Sequence, residues 1–160
     1  GIVLVFLFML GFYGRMGLVA DVALIIYALL VLGVLALFRG VLTLPGIAGL
    51  ILGIGMAVDG NVIIFERIKD EVRSGKGIHS AVQAGFSRAY VTILDSNITT
   101  LIVAVVLSHF GTGAVKGFAV TLAISILASM FTALFVSKTF LEIWVNKAPD
   151  RFLTKYGVRG

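Results

Sequence analysis

Gly46-Ile47-Ala48-Gly49-Leu50-Ile51-Leu52-Gly53-Ile54-Gly55-Met56-Ala57-Val58-Asp59-Gly60-Asn61-Val62-Ile63-Ile64-Phe65 decides the fold. Thirteen apolar or small residues precede a single acid, Asp59, and the apolar character then resumes. At about 1.5 Å per residue, a helix of this length crosses roughly 30 Å of hydrocarbon. Four more apolar segments flank it, at about residues 1–12, 18–38, 91–110 and 118–141. Over the 160 residues 59% are hydrophobic and 13% charged, against roughly 45–50% and about 25% for a water-soluble domain. That leaves too few charges to solvate a soluble surface. The chain reads as an all-α membrane protein, a bundle of five transmembrane helices.

The first segment is short and Gly1 already lies in an apolar run, with no initiator Met and no charged leader. It reads as a truncated span rather than a signal peptide. Turns rich in Gly, or carrying a Pro, are expected at about 13–17, 39–45 and 111–117. Arg15, the connector residues Arg67, Lys69, Arg73, Lys76 and Arg88, and Lys138, Lys147, Arg151, Lys155 and Arg159 fall on one side. Only Arg39 and Lys116 fall on the other. The positive-inside rule puts the connector and C-terminus in the cytoplasm and the N-terminus outside. Residues 1–141 are then a transmembrane domain and 142–160 a basic cytoplasmic tail. These charges flank spans and form no stripe on a folded domain, so no nucleic-acid partner is expected.

The connector, residues 66–90, has its own pattern. Glu66-Arg67-Ile68-Lys69-Asp70-Glu71-Val72-Arg73 mixes charge signs at helical spacing, so the third span should continue as a helix into water. Ser74-Gly75-Lys76-Gly77 should turn the chain. Ile78, Val82, Phe86 and Ala89 then recur at three and four residues, marking an amphipathic helix. It is either an interfacial helix that couples to a partner or an ordinary helix resting on the bundle.

Polar residues inside spans carry the chemistry. Asp59 and Asp95 each lie seven residues from a cytoplasmic-side charge, Glu66 and Arg88 respectively, or about 10 Å into the membrane. In antiparallel neighbours they would stand level. An Asp at the centre of a span costs about 2.5–3.5 kcal/mol, so packing alone does not account for it. Burial favours the protonated acid and a nearby cation the ionised one, so an Asp whose partner comes and goes can load and release a proton. Asp59 and Asp95 are therefore candidate proton-relay residues, with Asn61, Asn97, Thr99 and Thr100 as supporting polar groups. The structural alternative, strongest for Asp95, is a helix cap or an acid bonded to neighbouring Asn and Thr side chains.

Gly49, Gly53 and Ala57 follow a four-residue spacing, and Gly46, Gly53 and Gly60 a seven-residue one. Such stripes let helix backbones approach closely in lipid. They imply that the Asp59 helix packs centrally and keeps Asp59 away from lipid. Ala119, Ala123, Ser125, Ala128 and Ser129 suggest a second small-residue helix, and Lys116 reads as an outer loop residue. There is no cysteine, and His79 and His109 lie far apart, so neither metal nor cofactor is expected. No nucleophile–base set or phosphate loop is visible, and neither Asp sits in the setting of an intramembrane aspartyl protease. Enzyme chemistry is not expected.

Gly55-Met56-Ala57-Val58-Asp59-Gly60-Asn61-Val62 with Phe65-Glu66-Arg67-Ile68-Lys69-Asp70-Glu71 resembles the fourth-span motif of the bacterial SecD family. Asp95-Ser96-Asn97-Ile98-Thr99-Thr100-Leu101 resembles its fifth-span motif. Gly111-Thr112-Gly113-Ala114-Val115-Lys116-Gly117-Phe118-Ala119, with Ser129-Met130-Phe131-Thr132-Ala133, resembles its next outer loop and sixth span. The resemblance implies spans two to six of an RND-type half in the bacterial cytoplasmic (inner) membrane. It implies SecF, the SecYEG translocon channel, YajC and a translocating unfolded polypeptide as partners besides lipid, and use of the proton-motive force in export. Asp59 matches the family's proton-carrying position, and its charged partners are expected largely on SecF. A further span and a large extracytoplasmic domain are expected before Gly1. A docking module for SecF and the channel, or another RND-type transporter, are the alternatives.

Overall fold

Hydrocarbon offers no partner to a bare peptide group, so each apolar segment must satisfy its own backbone. The computed structural model describes residues 1–37 and 43–148, and among these the backbone closes into five helices and no strand. They are α1 (Ile2–Tyr13), α2 (Arg15–Leu37), α3 (Leu44–Arg73), α4 (Ile78–Phe110) and α5 (Ala114–Lys147). The last four are long and apolar enough to cross a membrane, while α1 is a shorter apolar helix. Arg39, Arg151, Lys155 and Arg159, and most of the 142–160 tail, lie outside the described residues.

Helix ends depart from the expected turns in instructive ways. The 13–17 turn shrinks to Gly14 alone, which reverses the chain at a left-handed φ of 54° that favours glycine. Thr43 caps α3 by accepting a hydrogen bond from the Gly46 amide at 3.2 Å, with Pro45 in the first turn. As expected, α3 runs unbroken past the apolar segment to Arg73, and 74–77 turns the chain. The amphipathic helix and the fourth span are a single helix, α4. Its first turns do not lie flat as an interfacial helix, because Ile78, Val82, Phe86 and Ala89 are buried in one core with Ile68 and Val72 of α3. The outer turn is shorter than expected, and Lys116 is exposed in the first turn of α5. The boundary placed at residue 141 falls inside α5, where Leu141 and Val145 are both buried.

Helix α3 packs on α2, α4 and α5. Its small-residue stripe works within this chain. A β-carbon at Gly49 would stand 3.0 Å from the Phe118 carbonyl oxygen, and one at Gly53 would overlap the Tyr27 hydroxyl and Ser125. Ala119, Ser125 and Ser129 of α5 are buried; Ala123 and Ala128 are half-buried. Midway, α5 widens into a π-helical stretch at Thr132–Val136, where the Ser137 amide bonds to the Thr132 carbonyl. Much of α4 remains uncovered, with Val91, Ile98, Ile102 and Val106 exposed.

Candidate intramembrane site

The close approach of Gly85 to Ile68 sets the register of α4 against α3. Counting nine residues along each helix brings Asp59 level with Leu94, the neighbour of Asp95. The two acids thus share a depth, as expected for antiparallel neighbours. Both are exposed on the surface of this chain, which corrects the expectation that the bundle buries Asp59. The reason is angular. A helix turns about 100° per residue, so while Ala57, Gly60 and Asn61 face the core, Asp59 points the other way. No hydrogen bond or ion pair reaches either carboxylate among the described residues.

The supporting residues separate into two groups. Asn61 is 2% exposed and faces inward; its amide donates to the Ala57 carbonyl at 3.1 Å and its oxygen accepts from the Ser137 hydroxyl at 2.5 Å. It ties α3 to α5 and does not touch Asp59. The Asn97 amide donates to the Ile93 carbonyl at 2.7 Å, Thr99 to the Asp95 backbone carbonyl and Thr100 to that of Ser96, both at 3.1 Å. These groups satisfy their own helix and leave the Asp95 carboxylate alone. Asp95 does not cap a helix either, since α4 begins far back at Ile78.

One acid escaped the sequence reading. Asp21 of α2 is 5% exposed, and both its carboxylate oxygens are buried without a hydrogen-bond partner. The signal was present: it is an acid inside an apolar run, the feature that singled out Asp59.

Outside the spans, charges fasten the helices together. The Tyr13 hydroxyl and the Lys69 ammonium both donate to Glu66 Oε1, each at 2.9 Å. Lys69 also lies 4.3 Å from the centre of the Tyr13 ring. Glu71 is clasped by Lys76 at 2.5 Å and by Arg88 of α4 at 2.8 Å. The hydrogen bond from Lys76, aided by the Arg88, Lys76 and Arg67 charges, outweighs burial and holds its carboxyl below the usual glutamate range. No cluster of three or more His, Cys, Asp or Glu gathers among the described residues.

Residues 1–147 match the family model described as protein export membrane protein SecD/SecF, C-terminal. The chain belongs to the SecD/SecF family. Its SecD relatives include the protein translocase subunit SecD of Acidaminococcus fermentans, 59% identical over 88% of this chain and 34% of that protein. The SecD of Calditerrivibrio nitroreducens is 55% identical over 92% of this chain and 29% of its own length. The chain therefore spans about a third of the curated SecD proteins it matches. Among solved structures, the crystal structure of SecDF, a translocon-associated membrane protein from Thermus thermophilus, superposes with a TM-score of 0.88. That match is 46% identical and covers 91% of this chain and 20% of the SecDF chain. The helical membrane fold read from the sequence is thus that of a SecD/SecF membrane domain.

Proposed function

We propose that this segment is the membrane part of a SecD subunit that couples proton movement to export of unfolded proteins across the bacterial cytoplasmic membrane. Asp59 is the proton-carrying group. One observation carries the reading: Asp59 lies inside the apolar segment of α3, level with Asp95, on a face that the described helices leave open. A carboxylate facing hydrocarbon is costly, so that face calls for a protein or aqueous neighbour. SecF, a second half of like fold, is the neighbour that would bring the charges Asp59 lacks here. Protonation then depends on whether those charges are in place, the condition for loading and releasing a proton. SecYEG, YajC and the exported polypeptide engage the longer protein of which this segment is the membrane part.

The test is Asp59→Asn in the full-length subunit. It should insert and assemble with SecF yet lose proton-dependent translocation into inverted vesicles; unchanged translocation would overturn the assignment. A docking role is the second reading, favoured by the exposed row of Ser96, Thr99 and Ile102 on α4. On that view Thr99→Trp breaks assembly while Asp59→Asn leaves export intact. Gly49 and Gly53 cannot serve this test, since both pack against this chain's own α5.

A further inference from the structure

Between the first turns of α4 and the last turns of α5 opens a cavity of about 550 Å³. A smaller one of about 230 Å³ continues it toward the α3–α4 turn, and Gln83 and Glu142 line both. The chain directions order its lining by depth. Leu134, Phe135 and Tyr90 stand at the end nearer mid-membrane, Lys138 and Ser87 in the middle, Gln83 and Glu142 at the outer end. The positive charges mark this end of the bundle as cytoplasmic, so the groove crosses the border between hydrocarbon and headgroups.

Its polar groups form a dipole. Lys138 is exposed and Glu142 half-buried, one helical turn apart, yet they make no ion pair with each other or with any described residue. A Lys placed N-terminal to a Glu at this spacing is the weaker orientation for such a pair. The Thr139 hydroxyl is already given to the Phe135 carbonyl at 2.8 Å, so the donors left at mid-groove are Lys138 and Ser87, with Gln83 at the outer end beside Glu142. An occupant therefore presents an anion at the level of Lys138, a cation about one turn nearer the water at Glu142, and an apolar chain along Leu134 and Phe135. A purely anionic lipid would set its headgroup against Glu142. A phosphocholine would offer that carboxylate no N–H.

We propose that this groove binds phosphatidylethanolamine, its phosphate on Lys138 and Ser87, its ammonium on Glu142 and an acyl chain along Leu134 and Phe135. The test uses the full-length subunit in its complex, reconstituted in vesicles of equal phosphatidylethanolamine, phosphatidylglycerol and phosphatidylcholine. The lipids retained on detergent release are then counted by native mass spectrometry. The wild type should retain phosphatidylethanolamine preferentially, even with excess inorganic phosphate present. Lys138→Gln should lower that retention about fivefold, the loss expected for one surface lysine, and Lys138→Arg should preserve it. Glu142→Gln should shift preference toward phosphatidylglycerol, and Asp59→Asn should retain lipid as the wild type does. Equal retention of the three lipids by the wild type overturns the proposal. So does displacement by phosphate, an unchanged preference in both charge variants, or loss of a protein subunit instead of lipid from Lys138→Gln.

Discussion

Asp59 and Asn61 stand two positions apart, and at about 100° per residue they face opposite sides of α3. Asn61 belongs to the core through Ser137, so its removal is a stability matter. Asn61→Leu should lower stability by about 1–3 kcal/mol, the cost of leaving a buried hydroxyl unpaired. Thermal unfolding in detergent reads this, and adding Ser137→Ala should recover part of the loss; strictly additive effects would show that the bond contributes nothing. Both acids were legible in the sequence because a carboxylate in an apolar run is rare. Their exposure was not, since it depends on which face of α3 the distant α5 covers. The inward turn of Asn61 was hidden for the same reason. Asp21 carried the same signal as Asp59 within the 18–38 segment and was passed over.

Helix α3 is held by two different devices along its length. Within the membrane, closeness to α5 and α2 at Gly53 leaves no room for a side chain. Gly53→Leu should therefore cost about 1–3 kcal/mol or more by overpacking, whereas Gly55→Leu, at a position open on its outer side, should be mild. Comparative unfolding of the two variants checks this. Beyond the membrane, Glu71 clamps the turn to α4 through Lys76 and Arg88. Its folded-state pKa is depressed, so the stabilisation is present above the ordinary glutamate value and is lost as pH falls through the folded value. Amide protection factors across 70–88, taken against intrinsic exchange at each pH, should thus fall on acidification below the usual glutamate range. Glu71→Gln should show the lower protection already at neutral pH and little further change on that acidification. The stripe of glycines and the extension of α3 were readable from spacing and mixed charge. The unity of α4 was readable too, because Ala89-Tyr90-Val91 contains neither Gly nor Pro to break a helix. What misled was the change there from amphipathic to wholly apolar pattern, which marks a change of surroundings and not of backbone.

For the whole molecule, alternation of the helices and the bias of Lys and Arg predict the α3–α4 turn inside the cell and the α4–α5 turn outside. These 160 residues contain no cysteine, so a cysteine introduced here, with any elsewhere in the full-length protein replaced, can test this directly. In intact cells an impermeant thiol reagent should label Thr112→Cys of the full-length protein and reach Gly77→Cys only after permeabilisation; the reverse pattern would invert the orientation. Fold class and the number of helices were legible because hydrocarbon leaves a backbone few choices. The angular arrangement of the helices was not, and the wide turn at Thr132–Val136 governs part of it. That turn acts as a phase setter. It holds one residue more than an α-helical turn, and so rotates everything beyond it relative to everything before it. Deleting Phe135 would make Ser137 the fourth residue after Thr132, so a regular α-helical turn would keep the same backbone bond and leave Ser137, Lys138 and Leu141 facing as they do. Rewinding the intact stretch as α-helix would instead swing Ser137 about 100° from Asn61 and Leu141 from the core. Through this stretch α5 can lose one residue more readily than it can lose its wide turn.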